Sequence, residues 1–267
     1  MFPAGGRAAP PAASPIALEE RCKNGCVTLT GPGRPRVRQS TRPGATAREE
    51  ILDAAAELFT TQGYATTSTR AIAEAVGMRQ SSLYHHFATK DDILEVLLAG
   101  TVTEGLAFAR AVSAGGSAAD DVSPAARLYA VALFDGSHLC SGRWNIGILY
   151  HLPEARDPRF TQFLADRDEL RRLYRSLGAA AVPAGLWSGD TRQHGELAFR
   201  LVESLVSLRV DGQITPSSAH QVADAALALC GFGGELPTVC DDGLALITAL
   251  GRVLPAGPSS PGGPARA

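Results

Sequence analysis

The stretch that decides the fold is Thr67–Lys90, TSTRAIAEAVGMRQSSLYHHFATK. It reads as two short amphipathic helices meeting at a sharp corner. Thr67, Ser68 and Thr69 offer N-caps for the first helix. Ala73 is small where the two helices cross, and Gly77 supplies the positive φ that a tight turn needs. Ile72, Val76, Met78, Leu83 and Phe87 provide the apolar side chains that lock the pair onto a preceding helix. This is helix-turn-helix spacing, in which the second helix enters the major groove of DNA. Apolar spacing alone would suit any three-helix packing unit, so the exposed residues carry the DNA reading. Arg79, Gln80, Ser81 and Ser82 open the second helix, at the end that meets base edges. Tyr84, His85 and His86 suit flanking phosphates, and Thr69 and Lys90 stand at helix starts, where anions bind well.

Upstream, Ile51, Leu52, Ala55, Leu58 and Phe59 follow helical spacing, with Thr46 and Glu49 placed for a capping box and Gly63 as a stop. Downstream, Thr89 caps a fourth helix predicted near 89–110. Asp91 and Asp92 fall in its first turn, and Ile93, Leu94, Leu97 and Leu98 on its apolar face. After a loop at 113–123, helical stretches follow near 124–140, 158–178, 191–211 and 217–231, punctuated by Pro153, Pro158, Pro183 and Pro216. There is no strand alternation and no internal repeat. The fold class is all-α: an arm at 1–44, a helix-turn-helix domain at 45–91, a helical second domain at 92–254 and a tail at 255–267.

Composition narrows the function. Lys and Arg number 25 against 27 acids, a net charge of -2, which excludes a uniformly basic coat but not a basic patch. Within Gly31–Arg42 (GPGRPRVRQSTR), Arg34, Arg36, Arg38 and Arg42 stand without an acid. That segment is either a solvated tail or an arm lying along phosphates or in a minor groove. The five cysteines are scattered and odd in number, so a reducing interior fits better than a disulfide framework. With no secretory pattern and no membrane-length apolar run, the expected location is cytoplasmic. Cys22 and Cys26, or His138 and Cys140, lack a second pair at zinc-ligand spacing, so no metal and no cofactor are expected. No P-loop, GxSxG or HExxH pattern occurs, and the chain does not read as an enzyme.

Residues 48–98 resemble the N-terminal domain of TetR-family transcriptional regulators. The resemblance is carried by AAELFTTQGYATTSTRAIAEAVG, then SSLYHHF, then Lys90-Asp91-Asp92. GRPR at 33–36 resembles the arm that often precedes that domain, although the arm is longer here than is usual. The resemblance implies a dimeric, ligand-responsive repressor released from a palindromic operator. It adds Arg70 to positions 79–82 as base readers and gives Thr69, Tyr84, His85, His86 and Lys90 the phosphate-facing roles. It also implies a ligand-binding core whose last two long helices, near 191–211 and 217–231, pair with a twofold mate.

In that second domain, Leu197, Leu201, Leu205 and Leu208 recur at helical intervals, as do Val222, Ala226 and Leu229; they suit either a dimer seam or monomer core. Phe108, Phe134, Trp144, Ile148, Tyr150, Phe163 and Tyr174 are the large side chains available to a pocket. Together with Arg143, Asn145 and His151 they suit a mainly apolar cavity for an amphipathic or aromatic small molecule. The alternative is a regulator whose second domain binds a protein partner and no small molecule. A cavity closed or filled by side chains would favour it.

Overall fold

Chain segments with apolar residues at i, i+3 and i+4 bury them by forming helices. In the computed structural model, which describes residues 42–115, 121–232 and 236–255, every regular element described is helical. The first four are α1 (Ala47–Thr61), α2 (Thr69–Val76), α3 (Gln80–Leu83) and α4 (Lys90–Gly100). Local chemistry sets their ends. The Thr46 hydroxyl accepts the Glu49 N–H while the Glu49 carboxylate accepts the Thr46 N–H, and Thr89 and Asp92 repeat this reciprocal cap on α4. The Ser68 hydroxyl caps α2 at its start, and Gly77 closes it with φ 72° and ψ 29°. Ile51, Ala54, Phe59, Ile72, Ala73, Leu83, Phe87 and Ile93 bury their side chains in the shared core of this head.

The lobe is built from α5 (Thr103–Ala114), α6 (Pro124–Cys140), α7 (Thr161–Ala181), α8 (Arg192–Val210), α9 (Ser218–Leu229) and α10 (Leu236–Ala249). Helix α6 buries 13 of its 17 residues and packs against each of the other five. A helix apolar on all sides is stable only when surrounded, so α6 is the central post. Helices α7 and α8 cross backbone to backbone. A Cβ on Gly178 would lie 2.3 Å from the Gly195 Cα, and one on Gly195 would lie 2.0 Å from the Tyr174 carbonyl oxygen.

Three expectations need correction. The helix predicted near 89–110 is two helices, interrupted after Gly100 at Thr101 and Val102. A glycine followed by three β-branched residues is poor helix sequence, and the Thr101 and Thr103 hydroxyls bond the carbonyls of Leu98 and Ala99. Helix α10 was not foreseen, because Pro237, Asp241, Asp242 and Gly243 obscure its apolar face. Residues Ile146–His151, Pro153–Arg156 and Pro158–Phe160 form short 3₁₀ turns, so α7 begins at Thr161 rather than near 158. No described helix is long and apolar enough to cross a membrane.

Candidate DNA-binding surface and effector lobe

The corner between α2 and α3 is built as its sequence requires. The Met78 N–H reaches back to the Ala73 carbonyl at 2.9 Å, and the chain turns through Arg79 into α3. Leu83 and Phe87 anchor the recognition segment, which continues past α3 in tight turns to Phe87. Anchoring by these two leaves Arg79, Gln80, Ser81, Tyr84, His85 and His86 exposed and Ser82 half-buried. Gln80 Nε2 donates to Thr69 Oγ1 at 2.9 Å and to Tyr84 Oη at 3.1 Å, and those two oxygens lie 3.1 Å apart. A base-reading candidate and two phosphate candidates therefore form one polar triad that ties α2 to the recognition segment. Both amide hydrogens of Gln80 are engaged in this triad. Arg70 lies on the solvent face of α2, its Nε 2.8 Å from Glu74 Oε1. An ion pair this exposed is worth little and exchanges readily for another anion.

Lys90 is placed differently from its sequence reading. Its Nζ donates to the carbonyls of Tyr64 and Thr67, at 2.8 and 3.0 Å, and stands 4.1 Å from the Tyr64 ring centroid. Partial burial lowers its pKa, against a raising influence of Glu154. Two of three ammonium hydrogens thus hold the α1–α2 loop to the start of α4, leaving one for a phosphate. Arg48 was missed: it is exposed, with its guanidinium 4.8 Å from the Phe87 ring centroid, beside the recognition segment. Only that tertiary contact distinguishes it from an ordinary surface arginine. Arg34, Arg36 and Arg38 lie outside the described residues. Arg42, from the same basic segment, pairs with Asp53 and Glu57 and donates to the Ala75 carbonyl, clamping α1 to α2.

The lobe does not gather the expected pocket residues around one space. Phe108 and Phe134 stack at 4.3 Å between centroids in the buried core, and Tyr150 stacks on Phe163 at 5.8 Å. Ile148 is half-buried, His151 is exposed, and Asn145 donates to the Val206 carbonyl. Trp144 points to the head, donating Nε1–H to Asp53 Oδ1 at 2.9 Å. One void among the described residues of the lobe is about 10 Å³, room for one water, and of the seven named residues only Tyr150 lines it. Its other walls include Asp135, Arg167 and Glu203, which sequence reading did not single out.

Those residues form a polar centre in which Asp135 is buried and Arg167 and Glu203 are half-buried. Tyr174 Oη donates to Asp135 Oδ2 at 3.0 Å, and Arg167 pairs with Glu203. Among the described residues, the buried Arg167 Nε finds no acceptor. Burial pushes the Asp135 carboxyl up to about 7, against the opposing hydrogen bond from Tyr174. An acid inside the apolar run LYAVALFDG was the available signal, since such an acid on a central helix must be paired or neutral. No described group of three His, Cys, Asp or Glu residues is placed to hold a metal ion. Cys22 and Cys26 lie outside the described residues.

Comparison with known proteins agrees with this geometry. The model of bacterial regulatory proteins of the tetR family matches residues 51–97. The HTH-type transcriptional repressor KstR2 of Rhodococcus jostii (strain RHA1) is 31% identical over 155 residues, covering 58% of this chain and 74% of that protein. Among solved structures, Mycobacterium smegmatis AmtR is 48% identical, with a TM-score of 0.69 over 81% of this chain and 100% of that one. The ketosteroid regulator KstR2 of Mycobacterium tuberculosis, at 23% identity and a TM-score of 0.55, covers 72% of this chain and 97% of its own and shares the fold. With its helix-turn-helix head carried on an all-helical lobe, the chain belongs to the tetR family of bacterial regulatory proteins and is a DNA-binding transcriptional regulator, not an enzyme.

Proposed function

We propose that this chain is a repressor that binds a palindromic operator as a homodimer and leaves it when a small effector binds. The observation that carries the reading is the exposed polar face of the recognition segment, held rigidly by buried Leu83 and Phe87. Residues 45–91 then act as the DNA-binding domain and 92–254 as the effector and dimerisation domain. Arg70, Arg79, Gln80, Ser81 and Ser82 read bases. Thr69, Tyr84, His85, His86 and Arg48 face phosphates, and Lys90 mainly positions the loop they stand on. The dimer seam runs along α8 and α9, where Leu197 and Leu229 are exposed and Leu201 and Leu208 half-buried, whereas Leu205, Val222 and Ala226 belong to the monomer core. Apolar side chains left at the surface of paired helices suit a twofold partner.

The test is fluorescence anisotropy on DNA from the protein's own upstream region against scrambled DNA, at several salt concentrations. Preference for the upstream DNA that weakens with salt supports the reading. Selection from random DNA covers a distant operator, and failure to enrich any palindrome sinks it. Gln80→Ala is expected to lose about 1–3 kcal/mol at one operator position and relax preference there. Equal loss on random DNA would remove Gln80 from base reading. A second reading, regulation by a protein partner, is favoured by the one-water void within the lobe, which admits no drug-sized molecule without rearrangement. Operator release by protein extract but not by its small-molecule filtrate would select it.

A further inference from the structure

Head and lobe meet across a groove of about 350 Å³, within the size range of small-ligand sites. Its apolar lining includes Leu52 of α1, the buried Ala56 and Leu97, Leu139 of α6, Trp144 and Ile146, and His138 of α6 also lines it. Asp53 lines it too: Arg42, which also pairs with Glu57, bonds its Oδ2 at 2.9 Å, and Trp144 donates to its Oδ1 at 2.9 Å. Two guanidiniums also line the groove, Arg143 and Arg209. Arg143 is more than half exposed, 4.6 Å from the Trp144 ring centroid and only 3.7 Å from Asp53 Oδ2. Arg209 braces the turn through the carbonyls of Leu139, Ser141 and Gly142. The groove therefore combines an apolar bed with a net positive edge.

We propose that this groove binds an amphipathic organic anion, with its apolar body on Leu52, Ala56, Leu97 and Ile146 and its carboxylate at Arg143. Seating that carboxylate draws Arg143 and Trp144 away from Asp53. Asp53 belongs to α1 of the head, so the ligand loosens the head from the lobe to the extent that it prefers the loosened conformer. The proposal rests on the effector reading above and gives it a location at the joint, where the void within the lobe offers no space. It also retains an amphipathic ligand while moving its site out of the aromatic core.

The chain has two tryptophans, so full-length Trp187→Phe leaves Trp144 as the sole reporter. Trp187 is exposed, and its replacement leaves the core intact. The probes are decanoate, 1-decanol and decylammonium, each below its micelle-forming concentration, read by Trp144 emission and by release of operator DNA. Decanoate is expected to change the emission saturably and release DNA over the same range. Decanol should bind about fivefold more weakly, the worth of one exposed ion pair, and decylammonium more weakly still. Arg143→Glu, at an exposed position, should abolish the preference for the anion. Equal binding of the three headgroups overturns the ligand class. DNA release with unchanged Trp144 emission overturns the groove while the effector reading stands. An emission change without release overturns the coupling. Neither response to decanoate overturns the proposal as a whole.

Discussion

At the residue scale, two side chains show what burial does to an ionisable group. Lys90 stands at a helix start, where an anion would be welcome, yet its ammonium is bonded to two carbonyls of the α1–α2 loop. Lys90→Ala should therefore lower stability by about 1–2 kcal/mol, because the Thr67 carbonyl loses its ammonium donor while the Tyr64 carbonyl keeps only the Thr67 N–H. The salt slope of DNA binding should change by less than one per subunit. Urea unfolding and a salt titration measure the two separately; a full unit of slope with unchanged stability would restore Lys90 as a plain phosphate contact. Asp135 offers the second case. Its free carboxyl has a value of 3.8, and burial raises the folded value to about 7. Between those values the native state keeps a proton that the unfolded chain has lost. Stability from this group thus falls as pH climbs from about 4 to 7 and stays low above. Asp135→Asn keeps the acceptor for Tyr174 and cannot ionise. It should gain on the parent protein by roughly 2–4 kcal/mol in urea unfolding between pH 4 and pH 8. Parallel pH profiles would show that Asp135 does not titrate in this range.

At the element scale, the crossing of α7 and α8 depends on two glycines that no local pattern marks. Gly195→Ala would place a methyl against the Tyr174 carbonyl, with backbone on both sides and no flexible side chain to yield. The expected cost is about 1–3 kcal/mol or more, seen as a lower urea midpoint. A neutral result would mean that the helices can separate freely. The contrast with the head is instructive. Thr46, Ser68, Gly77 and Thr89 announce their caps because capping is a contact among residues three or four apart, and sequence displays it. The apolar spacing of α1–α4 is visible for the same reason. The α7–α8 crossing and the aim of Trp144 depend on partners tens of residues away. The pocket failed for that reason as well: large aromatics were legible, but whether they line a space or fill it is decided by one another. Asp135 is the exception, since an acid amid apolar neighbours was visible and simply not weighed.

At the scale of the whole molecule, the reader is one small head, and a palindromic operator needs two at a fixed distance. Recognition segments must sit about 34–36 Å apart to enter successive major grooves, a spacing no monomer can set. The lobe supplies it if α8 and α9 pair across a twofold axis, and the head inherits it through α4 and the Trp144–Asp53 bond. Leu197 is the most exposed leucine of α8, at 49%. Leu197→Glu costs the monomer little, because nothing in its own core is lost. In the dimer it would place two carboxylates close together in an apolar seam, where charges are costly to desolvate. Sedimentation should show a shift to monomer with the urea midpoint nearly unchanged. Operator affinity should fall to that of a half-site, and half-site DNA should then bind as well as the full palindrome. A variant that stays dimeric on the full operator would move the seam off this face of α8, and with it the geometry by which an effector at the head–lobe joint alters the spacing of the two readers.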